Sequence, residues 1–191
     1  SLYTGGLTNN GPIAFSGGFA DIHGDVTNNV GAFVTTGGGG VTTFFDDVVN
    51  QGQIRTNAGS RTVIFGGITG NGSYPGTGVV EQLGDTRPGN SPAIVSYGGD
   101  LLLGDTSRLF IELGGTTAGS QYDRISVASN VNVDGTLNLS LINGFQPQTG
   151  NLFDIVLAGA LSGQFASMSG QNLGGGVLLN PITTATSSNT A

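Results

Sequence analysis

The chain contains no cysteine, no lysine and no tryptophan, and it has a single histidine and a single methionine. Without cysteine there can be no disulfide, no thiolate metal ligand and no thiol nucleophile. The only cationic side chains are Arg55, Arg61, Arg87, Arg108 and Arg124, set against 12 Asp and Glu for a net charge of −7. Scattered arginines do not make the clustered basic surface that nucleic acid requires, so nucleic acid is excluded as a partner, and an anionic membrane is disfavoured by the same argument. Membrane insertion is excluded too, because no run approaches the roughly 20 apolar residues of a spanning helix. Charge of either sign is scarce, at 9% of 191 residues. The absence of cysteine suits an exported protein that folds without an oxidising catalyst. Ser1-Leu2-Tyr3 does not open a signal peptide, so the chain reads as already processed.

Glycine is what the chain has in excess: 36 residues, about a fifth of the total against an average near 7%. Each glycine inside a helix costs about 1 kcal/mol relative to alanine, so a helical protein is excluded. The glycines have no three-residue period, which excludes collagen. Val, Ile, Leu, Phe and Thr are too frequent for a disordered linker. The composition therefore points to an all-β, turn-rich protein.

A repeat organises the first half. Gly11, Gly31, Gly52 and Gly72 follow Asn10, Asn29, Asn50 and Asn71 by one or two residues, and Ile13, Phe33, Ile54 and Tyr74 come two residues after each glycine. Ile94 continues the series twenty residues on. Each period also holds a second β-like segment, such as Val41-Thr42-Thr43-Phe44-Phe45 or Arg61-Thr62-Val63-Ile64-Phe65, separated by Gly/Asn turn chemistry. A period near 20 with short strands and Gly/Asn corners is what one coil of a β-solenoid needs, since a single coil cannot bury its apolar face and a stack can. The fold expected is an all-β parallel β-solenoid (β-helix) with coils of about 20 residues over 1–96. Ile13, Phe33, Ile54, Tyr74 and Ile94 are its expected interior ladder, and Asn10, Asn29, Asn50 and Asn71 its corner ladder. The alternative is a β-sandwich, whose turns usually recur every 8–12 residues or so.

From about Tyr97 the 20-residue rhythm blurs into clean alternation: Leu109, Ile111, Leu113; Ile125, Val127; Leu137, Leu139, Leu141; Phe153, Ile155, Leu157. Each is the half-buried strand pattern. Asp134-Gly135 reads as a hairpin or a solenoid corner. This region, 97–173, is expected to be an irregular solenoid or a β-rich cap, and 174–191 a hinge at Gly174-Gly175-Gly176 with an extended tail.

Here Tyr97-Gly98-Gly99-Asp100-Leu101, Leu109-Phe110-Ile111-Glu112-Leu113-Gly114-Gly115, Gln121-Tyr122-Asp123-Arg124-Ile125 and Val133-Asp134-Gly135-Thr136-Leu137, together with Phe153-Asp154-Ile155 and Gly163-Gln164-Phe165, resemble the C-terminal module of large bacterial β-strand-repeat surface proteins. That module is similar to autotransporter passengers and filamentous-haemagglutinin-type adhesins. The resemblance covers roughly Asn90 to Phe165 and the earlier coils in style only. It implies a secreted, extracellular β-solenoid with an adhesive or structural role, and it brings no catalytic residues.

Read for chemistry, the chain offers little. His23 has no Gly-x-Ser-x-Gly elbow beside it and no cysteine with which to hold a metal, so it is expected to be a solvent-facing strand residue. Asp46-Asp47, with Arg55 or Arg61 one coil away, resembles the acidic pairs of calcium-dependent β-helix polysaccharide lyases. Adjacent strand residues point to opposite faces, however, so the pair can serve one cleft only at a corner. Glu112 should face away from the core, opposite Arg108 or Arg124. No catalytic residue, metal site or cofactor is assigned; incidental calcium is the one ion the carboxylates suit.

The tail carries a β-competent segment with Val177, Leu178, Leu179 and Ile182, expected to add to the open edge of a neighbouring subunit. Addition that does not close on itself gives a fibre. The functional expectation is thus a non-enzymatic structural protein forming a homopolymer by coil stacking or strand exchange. The alternatives are an adhesin or stalk that binds glycans or a surface, and, more weakly, the lyase-like enzyme.

Overall fold

The computed structural model describes residues 1–3, 5–89, 92–172 and 177–183. The first lap of chain contributes β1 (Leu2–Tyr3), β2 (Leu7–Asn9) and β3 (Pro12–Ser16), and the second β4 (Phe19–His23), β5 (Val26–Asn28) and β6 (Phe33–Gly37). The third adds β7 (Val41–Phe44), β8 (Val48–Asn50) and β9 (Gln53–Thr56). The fourth adds β10 (Arg61–Ile64) and β11 (Ile68–Thr69), and the fifth β12 (Val79–Gln82), β13 (Asp85–Thr86) and β14 (Ile94–Tyr97). Then come β15 (Asp100–Leu103), β16 (Arg108–Leu113), β17 (Arg124–Val133), β18 (Thr136–Leu141), β19 (Val156–Gly163) and β20 (Ser167–Ser169).

Each strand pairs with its counterpart one lap on, and the pairings are parallel. The result is a three-sided parallel β-solenoid. Its first face is a nine-stranded sheet beginning β1-β4-β7-β10-β12-β15-β17, its second the eight-stranded order β2-β5-β8-β11-β13-β16-β18-β20, and its third opens with β3-β6-β9. The β-sandwich alternative is thereby excluded, because its sheets are antiparallel.

Period-two alternation on every face sends one set of side chains inward. On the first face Ile22, Phe44 and Ile64 lie in register and are all buried. On the second face Val26, Val48 and Ile68 do the same. The first-face register runs Leu2, Ile22, Phe44, Ile64, Gln82, Leu103, which makes laps of 20, 22, 20, 18 and 21 residues. The solenoid continues through the region expected to be an irregular solenoid or a β-rich cap. There Leu101 pairs with Val131 and Val131 with Leu161, so each lap lengthens to 30 residues. Excursions between β16 and β17 and between β18 and β19 absorb the surplus. β17 also turns from the third face to the first without a break, with a register shift between Val127 and Asn130 at the corner. Asp134-Gly135 is a corner rather than a hairpin, with Gly135 at φ 71° and packed so tightly that a Cβ would strike the Ser107 carbonyl oxygen.

The expected interior ladder needs correction at two positions. The column on the third face is Ile13, Val34, Ile54, Tyr74 and Tyr97, set by the pairs Ile13–Val34 and Val34–Ile54 and by the bridge Tyr74–Tyr97. Ile54, Tyr74 and Tyr97 are buried and Ile13 partly so. Phe33 and Ile94 face outward, 41% and 44% exposed. The lap from Ile13 runs 21 residues to Val34, and the lap from Tyr74 runs 23 to Tyr97; a displacement of one residue, or three, puts the opposite face of the strand toward the core.

The corner ladder is likewise split in two. Asn9, Asn28 and Asn50 form the buried inner row: Asn9 Nδ2 donates to Asn28 Oδ1 at 2.9 Å and Asn28 Nδ2 to Asn50 Oδ1 at 2.8 Å. Asn10, Asn29 and Asn71 belong to an outer row that includes Gln51. Asn29 Nδ2 donates to Asn10 Oδ1 at 2.6 Å, and the Asn71 backbone N–H to Gln51 Oε1 at 3.2 Å. Of the four expected asparagines only Asn50 is internal. The strand registers Asn9–Asn28–Asn50 decide this, whereas alignment on the following glycine mixes neighbouring residues.

Candidate functional site: terminal laps, outer aromatic row and corner trough

Three surface features remain once the interior is accounted for. The first is the pair of stack ends. At the far end β19 pairs with β17 on one side only, which leaves the other edge of Val156–Gly163 without a neighbouring strand among the described residues. The positions that continue the interior columns are Val156, Ala158, Leu161 and Met168, in register with Ile125, Val127, Val131 and Leu137. Those four partners are buried, yet Leu161 is 38% exposed and the other three are only partly covered. At the near end Leu7, Ile13 and Phe15 are also only partly covered. A half-covered apolar row over unpaired backbone groups is the surface on which a further lap would sit.

The expected tail residues lie at that far end. Leu178 forms an antiparallel bridge with Asn172, the Leu179 N–H donates to the Gln171 carbonyl oxygen at 2.9 Å, and Gln171 Nε2 donates back to the Leu179 oxygen at 3.0 Å. Leu179 packs against the core, Val177 is partly covered, and Leu178 and Ile182 are 57% and 69% exposed. The expected hinge, residues 174–176, and residues 184–191 lie outside the described residues.

The second feature is a row of stacked rings on the outside of the first face, at the end of each strand. Tyr3 stacks on His23 with centroids 4.4 Å apart, His23 on Phe45 at 4.4 Å and Phe45 on Phe65 at 5.4 Å, all within 6° of parallel. His23 is outward-facing as expected, but it is sandwiched rather than bare. Because each facing pair of rings covers the other, the inner rings of the row offer mainly edges to solvent and the row suits cross-strand stabilisation. Asp46 and Asp47 follow it at the corner, both exposed. Asp46 Oδ2 accepts the Gly24 N–H at 2.7 Å and Asp47 Oδ1 the Gly67 N–H at 2.7 Å. Arg61 pairs with Glu81 at 2.6 Å on the first face, while Arg55 projects from the third. The acidic pair and the arginines thus converge on no cleft. Among the described residues no group of three or more His, Asp and Glu could hold a metal ion.

The third feature is an open trough of about 330 Å³ at the corner between the second and third faces, walled by Phe33 and by Gln51, Gln53, Asn71 and Ser73. It carries no charged lining residue.

The carboxylates with displaced acidity are structural. Asp123 is buried and accepts the backbone N–H groups of Ala93 at 2.8 Å and Glu112 at 2.9 Å. Desolvation nevertheless raises its pKa, and the neighbouring Glu112 adds to the shift. Glu112 is in register with Ser140 and its Oε2 is buried without a hydrogen-bond partner among the described residues. The arginines expected opposite it are engaged elsewhere: Arg108 with Asp85 at 2.6 Å, and Arg124 with Tyr122 and Asp154. The Asp100 pKa is lowered, chiefly by the Ser129 hydroxyl donating at 2.6 Å and by the Asn130 N–H. Inside the stack, burial pushes the Tyr74 and Tyr97 phenols up. Tyr97 Oη accepts from Gln82 Nε2 at 2.7 Å and Thr86 donates to Gln82 Oε1 at 2.6 Å, so the buried amide is satisfied.

No family model, no curated protein and no solved structure matches the chain.

Proposed function

We propose that this protein is a non-enzymatic structural subunit of an extracellular filament or surface matrix, in which the first lap of one copy stacks on the last lap of the next. One observation carries the reading. The interior columns run from lap to lap and end, among the described residues, at Val156, Ala158, Leu161 and Met168, partly covered and beside a strand edge with no neighbouring strand. A further parallel lap would satisfy the β19 backbone groups and bury those side chains at once. Stacking of the same surface pair repeats without closure, which generates a fibre. The resemblance of the later laps to β-strand-repeat surface proteins supports the extracellular setting.

Electron microscopy and light scattering of purified protein test this. Fibres that lengthen with concentration are expected for the native sequence. Leu161→Lys, which puts a charge on the terminal column at a position already 38% exposed, is expected to stop elongation while leaving the monomer folded. A protein that stays monomeric at high concentration, or a Leu161→Lys variant that elongates normally, overturns the reading.

A second reading, a stalk that binds glycans, is favoured by the trough beside Phe33. An aromatic ring 41% exposed among amide side chains, with no charge in the lining, suits a neutral sugar.

A further inference from the structure

We infer that the segment Val177–Thr183 is a releasable cap over the last lap, holding back the stacking of a second copy until it swings away. The inference rests on the assembly reading above and assigns its regulation. Sequence alone suggests that this segment is a strand offered to a neighbour. Its hydrogen bonds point the other way, toward its own chain.

The segment doubles back on residues 171–172, immediately after the last strand of the second face. There Leu179 uses both of its backbone polar groups on Gln171, one through the Gln171 carbonyl and one through its side-chain amide. Leu178 bridges Asn172 in antiparallel sense, whereas the solenoid strands pair parallel from β1 to β20. An incoming lap must run parallel and in register, so a segment that doubles back in antiparallel sense beside the end of the last lap is no template for it. Leu179 also packs against the core cluster, as Val156, Ala158 and Met168 of the last lap do, and on this inference an incoming copy has to displace it. The seat is shallow. Among the described residues Leu179 makes two hydrogen bonds there and is partly covered, flanked by Leu178 and Ile182 with most of their area in solvent. A contact of this size opens readily, as a reversible cap must.

The absence of cysteine makes a direct test available. Asn172→Cys with Leu178→Cys places a thiol pair across the antiparallel bridge, where paired Cα atoms lie within disulfide reach. Oxidation then locks the segment down in the full chain, and reduction frees it. The expected result is fibre growth slowed at least roughly tenfold in the oxidised form and restored on reduction, as for any step gated by a minor open state. Leu179→Asp, which unseats the segment, should shorten the lag roughly tenfold, and Ile182→Asp, on its exposed side, should leave the lag unchanged. Equal growth with the segment locked and free, or a longer lag in Leu179→Asp, overturns the cap and leaves assembly standing. Native protein that stays monomeric at high concentration removes the assembly reading and the cap with it. Circular dichroism of each variant separates loss of the cap from loss of the fold.

Discussion

Asn28 donates its side-chain amide to Asn50 Oδ1 at 2.8 Å across one lap and accepts from Asn9 Nδ2 across the other, and both Asn28 and Asn50 are fully buried. Asn28 Nδ2 also reaches the Gln53 carbonyl at 3.1 Å. A buried amide so satisfied holds register, because any slip would strand its partners without hydrogen bonds. Asn28→Leu, close in volume, is expected to destabilise the protein by about 2–4 kcal/mol, since it leaves polar groups on Asn9 and Asn50 buried and unpaired. Equilibrium urea unfolding measures it. Asn29→Leu, in the outer row, should cost under about 1 kcal/mol.

The inner asparagine row ends at Gly70, which stands one lap beyond Asn50 with φ 105° and no room for a Cβ against the Asn50 carbonyl. Gly70→Ala combines a disfavoured backbone angle with that clash. It should cost about 2 kcal/mol or more, read as a lowered thermal midpoint.

Phe44 and Phe45 are neighbours in sequence with opposite fates, one 1% exposed and the other 39% exposed in the ring stack. Phe44→Ala should cost about 3–5 kcal/mol, as for core aromatics generally. Phe45→Ala removes one ring from an exterior row and should cost about 1 kcal/mol. Similar losses for the two would contradict the assigned strand orientation.

Burial raises the pKa of Asp123 in the folded state, so the charged form is less well accommodated there than in the unfolded chain. Its contribution to stability is therefore fully present below the ordinary aspartate pKa and fades as pH rises through the raised folded value. The stability of the native protein measured against Asp123→Asn should thus become more favourable as pH is lowered through that window toward the ordinary aspartate value. Stepwise urea titrations of both proteins check the slope, and a slope of opposite sign would contradict the burial argument.

The stacked architecture was legible because the glycine and asparagine corners recur near every twenty residues and the apolar residues alternate. Register was less legible. Phe33 and Val34 are both good strand residues, and only the pairing with Ile13 and Ile54 selects Val34 for the interior. Tyr97 took the place expected for Ile94 because the fifth lap carries three extra residues on this face before the strand resumes. Gln82 sits in an apolar column for a reason invisible in sequence: Tyr97 and Thr86 reach it from other faces. The outer aromatic row had a usable signal, since His23, Phe45 and Phe65 follow the buried Ile22, Phe44 and Ile64 at lap spacing and Tyr3 follows Leu2 in the same register, but the change of residue type from ring to ring concealed it. The seat of Leu179 against Gln171 joins residues eight positions apart, which no local pattern encodes.

Fibre diffraction from aligned assemblies tests the central claim most directly. If copies stack lap on lap, the strand spacing of about 4.8 Å lies along the fibre axis and gives a meridional reflection, which Leu161→Lys abolishes along with the fibres. Fibres whose 4.8 Å reflection falls on the equator, with the solenoids lying across the axis, would contradict end-to-end stacking.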